Sequence, residues 1–300
     1  INNTVAEQQD DPAVAGLVNG RFVVAWESSH QDGATNDVYA QIYDSSGSAI
    51  GSEFRINAFT NSFQNLPSIA GLNDNGFVIA WTSDGQDGSG NGVYVQRYNT
   101  NGSELGSQIR ANTFTNNHQT SPDVAALPDG GFMVTWTSEG GQDGSSNGVY
   151  GQRYGADGST IGTEFRINTT TNDNQMKPSG FGLPNGTFVA SWDADGQDGS
   201  SSGVYAQLYN VFSNLGGEGN DTLVGTSGAD VLVGGAGGDT LDGGAGVDTV
   251  SYSGSSSAVT VNLATGAGSG GDAQGDTIQN FENATGSSHN DSLTGSSSAN

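Results

Sequence analysis

A nine-residue repeat runs from Gly216 to Ser251 and restricts the fold of this chain more than any other feature. Four copies follow one another without insertion. Each has glycine at its first and fourth places, aspartate at its sixth and an aliphatic residue at its eighth. A flexible glycine-rich linker is the alternative, because linkers share this composition. A linker has no reason to keep aspartate and an aliphatic residue in one phase, so we expect a folded repeating structure.

The repeat supplies the groups that a hard cation such as calcium needs. Glycine lets a tight loop adopt positive φ and brings backbone carbonyls close to an ion, and calcium takes six to eight oxygens from carboxylates and carbonyls. The aliphatic residues at the eighth place predict short strands that stack into a core. The predicted metal-site residues are Gly217, Gly219, Asp221, Gly228, Asp230, Gly235, Gly237, Asp239, Gly244, Gly246, Asp248 and, in a degenerate copy further on, Asp291.

This glycine-rich nonapeptide resembles the calcium-binding repeat of the RTX (repeats-in-toxin, hemolysin-type) proteins. The resemblance implies a parallel β-roll in which two nonapeptides form one coil and calcium lies between loops two repeats apart. It would thereby pair Asp221 with Asp239 on one edge and Asp230 with Asp248 on the other. It also implies type I secretion from a bacterium, followed by folding outside the cell.

The charge distribution agrees with a cation-dependent segment. The chain carries a formal net charge of −25, which argues against binding to nucleic acid. From residue 211 onward there are ten acidic residues and no Lys or Arg. Such an array repels itself and would need cations to fold. There is no cysteine, which excludes a disulfide scaffold and thiol chemistry, and no apolar run has the length of a membrane span.

A second, longer repeat occupies residues 1–210, and we expect residues 211–300 to form a separate domain. Four tryptophans, Trp26, Trp81, Trp136 and Trp192, are spaced by 55, 55 and 56 residues. Each unit has the turn signals and alternation of about four short strands. That is the size of one β-propeller blade, so we predict an all-β fold of propeller blades followed by a β-roll. A linear array of small sandwiches or an extended solenoid is the alternative for the first domain.

These longer units resemble the Trp- and Gln-Asp-Gly-containing tandem repeats that precede nonapeptides in large secreted bacterial proteins. The recurring Gln-Asp-Gly loops are candidates for further calcium sites, although Asp-Gly is also a common turn pair. Their aspartates are Asp32, Asp87, Asp143 and Asp198. Residues that recur at one place in every unit, such as the tryptophans, are favoured as blade core over sugar-stacking platforms.

No catalytic constellation stands out. The three histidines show no metal-ligand spacing, and no nucleophile motif occurs in its usual context. We therefore predict a calcium-binding extracellular protein that is not an enzyme, with the repeat domain as a binding or assembly module of an adhesin or extracellular matrix protein. Ligands left open are a glycan, a cell surface or further copies of the chain. The rival hypothesis is part of a secreted polysaccharide-acting enzyme.

Overall fold

The protein is all-β, as predicted. The computed structural model describes residues 8–31, 36–183, 187–197, 199, 201–210, 213–215, 219–225 and 230–296, with the backbone alone at 210 and 213–215. The chain divides into two compact units, Ile1–Ser159 with Glu164–Tyr209, and Thr160–Thr163 with Asn210–Asn300. No helix in the described part of the chain has the length and apolarity to cross a membrane.

The first unit consists of four antiparallel sheets, one for each long repeat. The first sheet contains β1 (Gln9–Gly16), β2 (Phe22–Ser29), β3 (Asn36–Tyr43) and β4 (Ala49–Arg55). The second contains β5 (Gln64–Gly71), β6 (Phe77–Asp84), β7 (Asn91–Tyr98) and β8 (Glu104–Arg110). The third contains β9 (Gln119–Ala126), β10 (Phe132–Ser138), β11 (Gly148–Tyr154) and β12 (Thr160–Arg166). The fourth contains only β13 (Gln175–Gly182), β14 (Thr187–Asp195) and β15 (Ser202–Asn210).

Each sheet is an up-and-down meander whose strands follow chain order. The first strands of successive sheets, β1, β5, β9 and β13, lie beside one another. This is how propeller blades pack, so the propeller prediction is confirmed over the sandwich and solenoid alternatives. The tryptophans lie in the blade cores: Trp81 and Trp136 are 0% exposed, and Trp26 and Trp192 are 3% and 4% exposed. Their burial favours the packing role over a sugar-stacking one.

An asparagine at the end of the second and of the third repeat joins one blade to the next. The Oδ1 atom of Asn112 accepts the backbone N–H of Val93 at 2.8 Å. Its Nδ2 donates to Gln119 Oε1, at the start of the next blade, at 3.1 Å. Asn168 makes the same two bonds, to Val149 and Gln175. The recurring Gln and Asn therefore satisfy buried polar groups where adjacent blades meet.

The second unit contains short strands in two sheets, all paired in parallel except β22, which is antiparallel to both of its neighbours. One sheet has the order β16 (Ser213–Leu215), β18 (Val231–Val233), β20 (Thr249–Ser251), β24 (Asn283–Thr285). The other has the order β17 (Thr222–Val224), β19 (Thr240–Asp242), β23 (Thr277–Gln279), β22 (Ala267–Ser269), β21 (Thr260–Asn262), β25 (Ser292–Thr294). Residues at the eighth place of each nonapeptide form the core between them, with Leu232, Leu241 and Val250 each 0% exposed. This arrangement is the predicted β-roll.

The blade-joining asparagine gives a stability prediction. Replacing Asn112 with alanine leaves the Val93 N–H and Gln119 Oε1 without this partner. We expect Asn112→Ala to lower the free energy of unfolding of the first unit by about 2–4 kcal/mol, the cost of unsatisfied buried polar groups. The measurement is urea denaturation of the full chain at fixed calcium.

Asn61→Ala is the matched control, because Asn61 is exposed on the bend between β4 and β5. It should change the free energy by no more than about 0.5 kcal/mol. Equal losses in the two variants would contradict the blade-joining role.

Candidate metal centre

The glycines of the nonapeptides hold backbone conformations that other residues rarely adopt. At the second place of the repeat, Gly235 and Gly244 have φ of 90° and 85°, and at the fourth place Gly219, Gly237 and Gly246 have φ of 122°, 143° and 150°. A Cβ atom on Gly237 would also collide with the carbonyl oxygen of Gly219 in the coil below. These loops therefore require glycine for both conformation and space. Gly217 and Gly228 lie outside the described residues.

Strand pairing brings the aspartates together two repeats apart. β17 pairs with β19 so that Leu223 lies beside Leu241, and β18 pairs with β20 so that Leu232 lies beside Val250. Asp239 Oδ1 accepts the N–H of Asp221 at 2.9 Å on one edge of the roll. Asp248 Oδ1 accepts the N–H of Asp230 at 2.8 Å on the other. One carboxylate oxygen thus fixes the coil below it, and the second oxygen remains for another partner.

Two further acids, which the sequence analysis did not select, extend these columns. Asp276 Oδ1 accepts the N–H of Asp239 at 2.9 Å, and Glu282 Oε2 accepts the N–H of Asp248 at 2.8 Å. In the first column, Asp276 Oδ2 also accepts the hydroxyl of Tyr252 at 2.6 Å. The carboxylate columns are therefore Asp221–Asp239–Asp276 and Asp230–Asp248–Glu282.

The signal for Asp276 was present in the sequence. Residues 271–279 read Gly-Asp-Ala-Gln-Gly-Asp-Thr-Ile-Gln, which is identical at five of nine places to Gly-Gly-Ala-Gly-Gly-Asp-Thr-Leu-Asp at 234–242. The insert 252–270 interrupts the nine-residue periodicity, because it forms the β21–β22 hairpin before the nonapeptide coil resumes. Glu282 follows Asp276 by six residues instead of nine, so no phase rule would have found it.

Asp291 lies apart from both columns. Its Oδ1 accepts the N–H of Val259 at 2.8 Å and the hydroxyl of Ser287 at 2.7 Å. These hydrogen bonds lower the pKa of Asp291. Its strand, β25, pairs with β21 of the hairpin, so the residue stacked beside Asp291 is valine instead of another acid. The structure thus keeps Asp291 in the position of a nonapeptide aspartate but does not bring it to another predicted ligand.

Electrostatics in the two columns are unfavourable without a cation. Asp239 is 1% exposed and Asp248 is 0% exposed. The Oδ2 atoms of both are buried and have no hydrogen-bond partner among the described residues. Burial, and then the charges of Asp276 and Asp221, raise the pKa of Asp239 to about 6. Burial followed by the charges of Asp230 and Glu282 likewise raises the pKa of Asp248.

The donor set fits calcium. Buried carboxylate oxygens without partners, next to loops of glycine that expose carbonyls, are the oxygen ligands that this ion prefers. Within the described residues, no group of three or more His, Cys, Asp or Glu side chains could hold a metal ion by itself. Backbone carbonyls of the glycine loops would have to complete the coordination, which explains why the motif fixes glycine as strictly as aspartate.

The Gln-Asp-Gly loops have turn geometry where they are described. Asp87 Oδ1 accepts the N–H of Ser89, and Asp143 Oδ1 accepts the N–H of Ser145, each at 3.1 Å. This is the Asx-turn pattern. Asp32 and Asp198 lie outside the described residues. Calcium binding by these loops stays a prediction.

Comparison with known proteins corrects one expectation. No curated protein matches the chain. Among solved structures, the chain is similar to an endo-arabinase from Bacteroides thetaiotaomicron (14% identity, TM-score 0.45, 70% of this chain and 78% of that one). It is also similar to a thermostable family-43 glycoside hydrolase (13%, 0.42, 66% and 70%). A third is the α-L-arabinofuranosidase Arb93A from Fusarium graminearum (14%, 0.45, 65% and 64%).

All three of these structures are enzymes by name, so the expectation that the chain is not an enzyme is wrong and is withdrawn. The likeness is too distant to transfer a substrate or a catalytic residue.

The second unit has a match in sequence. A family model, the RTX calcium-binding nonapeptide repeat, matches residues 215–250 in four copies. This range contains four of the six acids in the carboxylate columns, Asp221, Asp230, Asp239 and Asp248. Residues 215–250 are therefore RTX nonapeptide repeats, and the ion that they bind is calcium.

Proposed function

We propose that residues 211–300 form a calcium-dependent folding module of a secreted protein, exported unfolded and ordered outside the cell. The observation that carries this proposal is the pair of buried carboxylate oxygens without partners, Asp239 Oδ2 and Asp248 Oδ2, one in each column. A buried charge without a partner is costly, and a bound cation removes that cost. Bacterial cytosol holds little free calcium and the exterior holds much more, so the same chain would be extended inside and folded outside.

Each part of the roll has a defined role in this proposal. The aspartates at the sixth place and the carbonyls of the glycine loops would hold calcium, whose positive charge offsets the repulsion along each column. The aspartate Oδ1 atoms tie each coil to the coil below through backbone N–H groups. The aliphatic residues at the eighth place provide the core that closes once the columns are neutralised. The propeller blades would be carried outside as a binding or assembly module of an adhesin or matrix protein.

A calcium titration tests the module. We expect the full chain to gain β-structure, measured by circular dichroism, as calcium is added, and to lose it in excess chelator. Asp239→Asn and Asp248→Asn should each weaken calcium binding on the order of 10- to 100-fold in isothermal titration calorimetry, because each removes a charged ligand.

Asp44→Asn is the control, since it makes the same charge change in the turn between β3 and β4 of the first unit. It should leave affinity nearly unchanged. No structural response to calcium in the unsubstituted chain, or equal effects in all three variants, would contradict the proposed module.

The raised pKa of Asp239 predicts opposite pH dependences with and without calcium. Its folded pKa of about 6 lies above the unfolded value of 3.8. The folded calcium-free roll therefore binds more protons than the unfolded chain between these values, and its stability falls as pH rises through this window. Calcium needs the ionised carboxylate, so calcium affinity should fall as pH is lowered from 7 to 5.

The check without calcium is circular dichroism in chelator between pH 4 and pH 7, where the remaining roll structure should decrease as pH rises. The check with calcium is titration calorimetry at pH 5 and pH 7. If the calcium-free chain became more stable as pH rose from 4 to 6, the sign of this prediction would be wrong.

The first unit supports a second candidate, action on a polysaccharide. Glu27 on β2 lies opposite Asp10 of β1 in the strand register. Burial, and then the nearby charges of Asp11 and Asp10, raise the pKa of Glu27, while a hydrogen bond from Asn36 lowers it. A carboxyl group with a raised pKa beside ionised carboxylates is the arrangement that supplies a general acid in glycoside hydrolysis.

We expect Glu27→Gln to abolish any release of reducing ends from neutral polysaccharides incubated with the full chain. Glu104→Gln, on the exposed face of β8, is the control and should keep full activity. Absence of product with the unsubstituted chain on every polysaccharide tried would remove this candidate.

A further inference from the structure

The first strand of every blade carries the same backbone irregularity. Each contains Gln-x-y-Pro, and the strand register shifts within it. The residue y is never glycine, yet its φ is positive in all four blades: 45° at Asp11, 53° at Leu66, 52° at Ser121 and 52° at Lys177. A left-handed conformation costs a non-glycine residue about 1–2 kcal/mol, so the surrounding structure must hold each bulge in place.

Neighbouring side chains supply that support. The Gln of the motif is buried, at 0% exposure for Gln64, Gln119 and Gln175. Its Nε2 donates to a backbone carbonyl just upstream, such as Asn116 O at 3.0 Å from Gln119. At the fourth bulge, the N–H of Lys177 donates to Thr137 Oγ1 of the preceding blade at 2.9 Å. The bulge is therefore a rigid platform, and the side chains of x and y are not needed to build it.

Those two side chains vary completely between blades whose other positions repeat. They are Asp10–Asp11, Asn65–Leu66, Thr120–Ser121 and Met176–Lys177, which we call the bulge pairs. Asp11, Leu66 and Lys177 are exposed, and Ser121 is half-buried. Asn65, Thr120 and Met176 are also half-buried. A repeated rigid platform with a different, at least partly exposed pair on each copy is how repeat proteins present a recognition surface.

The bulge pairs of blades two to four form a continuous row, because the half-buried carboxylate of Asp123 ties their first strands together. Asp123 Oδ1 accepts the hydroxyl of Ser68 on β5 at 2.9 Å, and Asp123 Oδ2 accepts the N–H of Gly180 on β13 at 2.6 Å. Ser68, Asp123 and Gly180 each lie two or three residues beyond a bulge. β1 lies beside β5 and adds the first pair to the row.

We propose that this row of bulge pairs binds a neutral oligosaccharide chain, one stretch of the ligand on each successive blade. The pairs offer acceptors, amides, hydroxyls and an ammonium group, with Leu66 and Met176 as apolar contacts. Sugar hydroxyls both donate and accept hydrogen bonds, so they can bind to all of these groups. A ligand with charges of one sign would find an opposite charge at only one end of the row, either at Asp10 and Asp11 or at Lys177. The net charge of −25 disfavours polyanions. This inference rests on the substrate class of the second candidate above but requires no turnover.

The test is affinity electrophoresis of the calcium-loaded full chain in gels that contain dextran, xylan, arabinan or galactomannan. Alginate and gelatin serve as the polyanion and polypeptide gels. We expect retardation in at least one neutral polysaccharide. Leu66→Asn and Lys177→Asn should each weaken it on the order of tenfold, because asparagine tolerates the left-handed backbone while the side-chain contact is lost.

Glu104→Asn on the exposed face of β8 is the matched control and should keep full retardation. No retardation in any neutral gel, retardation only in alginate or gelatin, or equal retardation of the bulge variants and the control would each overturn the inference. Retardation without release of reducing ends would support it while removing the second candidate. Product release with binding unchanged in the bulge variants would support the second candidate and overturn this inference.

Discussion

The stacking of like charges along the edges of the roll is the constraint on which the second unit depends. Each column places a buried carboxylate directly above another, held there by a backbone N–H from the coil below. The hydrogen bond sets the spacing of the coils but satisfies only one oxygen of Asp239 or Asp248, and its geometry brings the next negative charge close. In the proposed module, the backbone hydrogen bonds that stack the coils also create a need for cations, so calcium binding and folding would be one event.

The strict phase of the nonapeptides made most of this predictable. Glycine at fixed places predicts positive φ, and the aliphatic eighth place predicts the core strand, because each is a local requirement repeated without change. Asp276 and Glu282 escaped prediction for a different reason. The hairpin that follows Tyr252 lengthens the chain between Asp239 and Asp276 but does not change how the coils stack. The parallel pairing of β19 with β23 depends only on this stacking. Asp291 shows the converse, since its motif position is kept while its stacking neighbour is Val259.

In the first unit, periodicity predicted the blades, and the tryptophans proved to be core. The sequence could not separate recurring residues that hold the fold from those available for binding. Gln119 and Asn112 recur as strictly as any ligand would, yet they are buried and bonded to each other. Residues that recur in every repeat therefore indicate the scaffold, whereas positions whose residue differs between repeats indicate where a ligand could bind.

The two units use repetition in opposite ways. The roll needs identical loops, because each loop supplies the same set of oxygen ligands to the same kind of ion. A departure alters the loop, as where Gln274 replaces the glycine of the fourth place and a 3-10 turn precedes it. In the proposed binding surface, the blades repeat the bulge but vary the side chains on it, because a ligand spanning several blades would contact each bulge pair only once. Glycine at position 66 or 177 would relieve the strain of the left-handed backbone. It would also remove the side chain of Leu66 or Lys177 that the proposed ligand contacts.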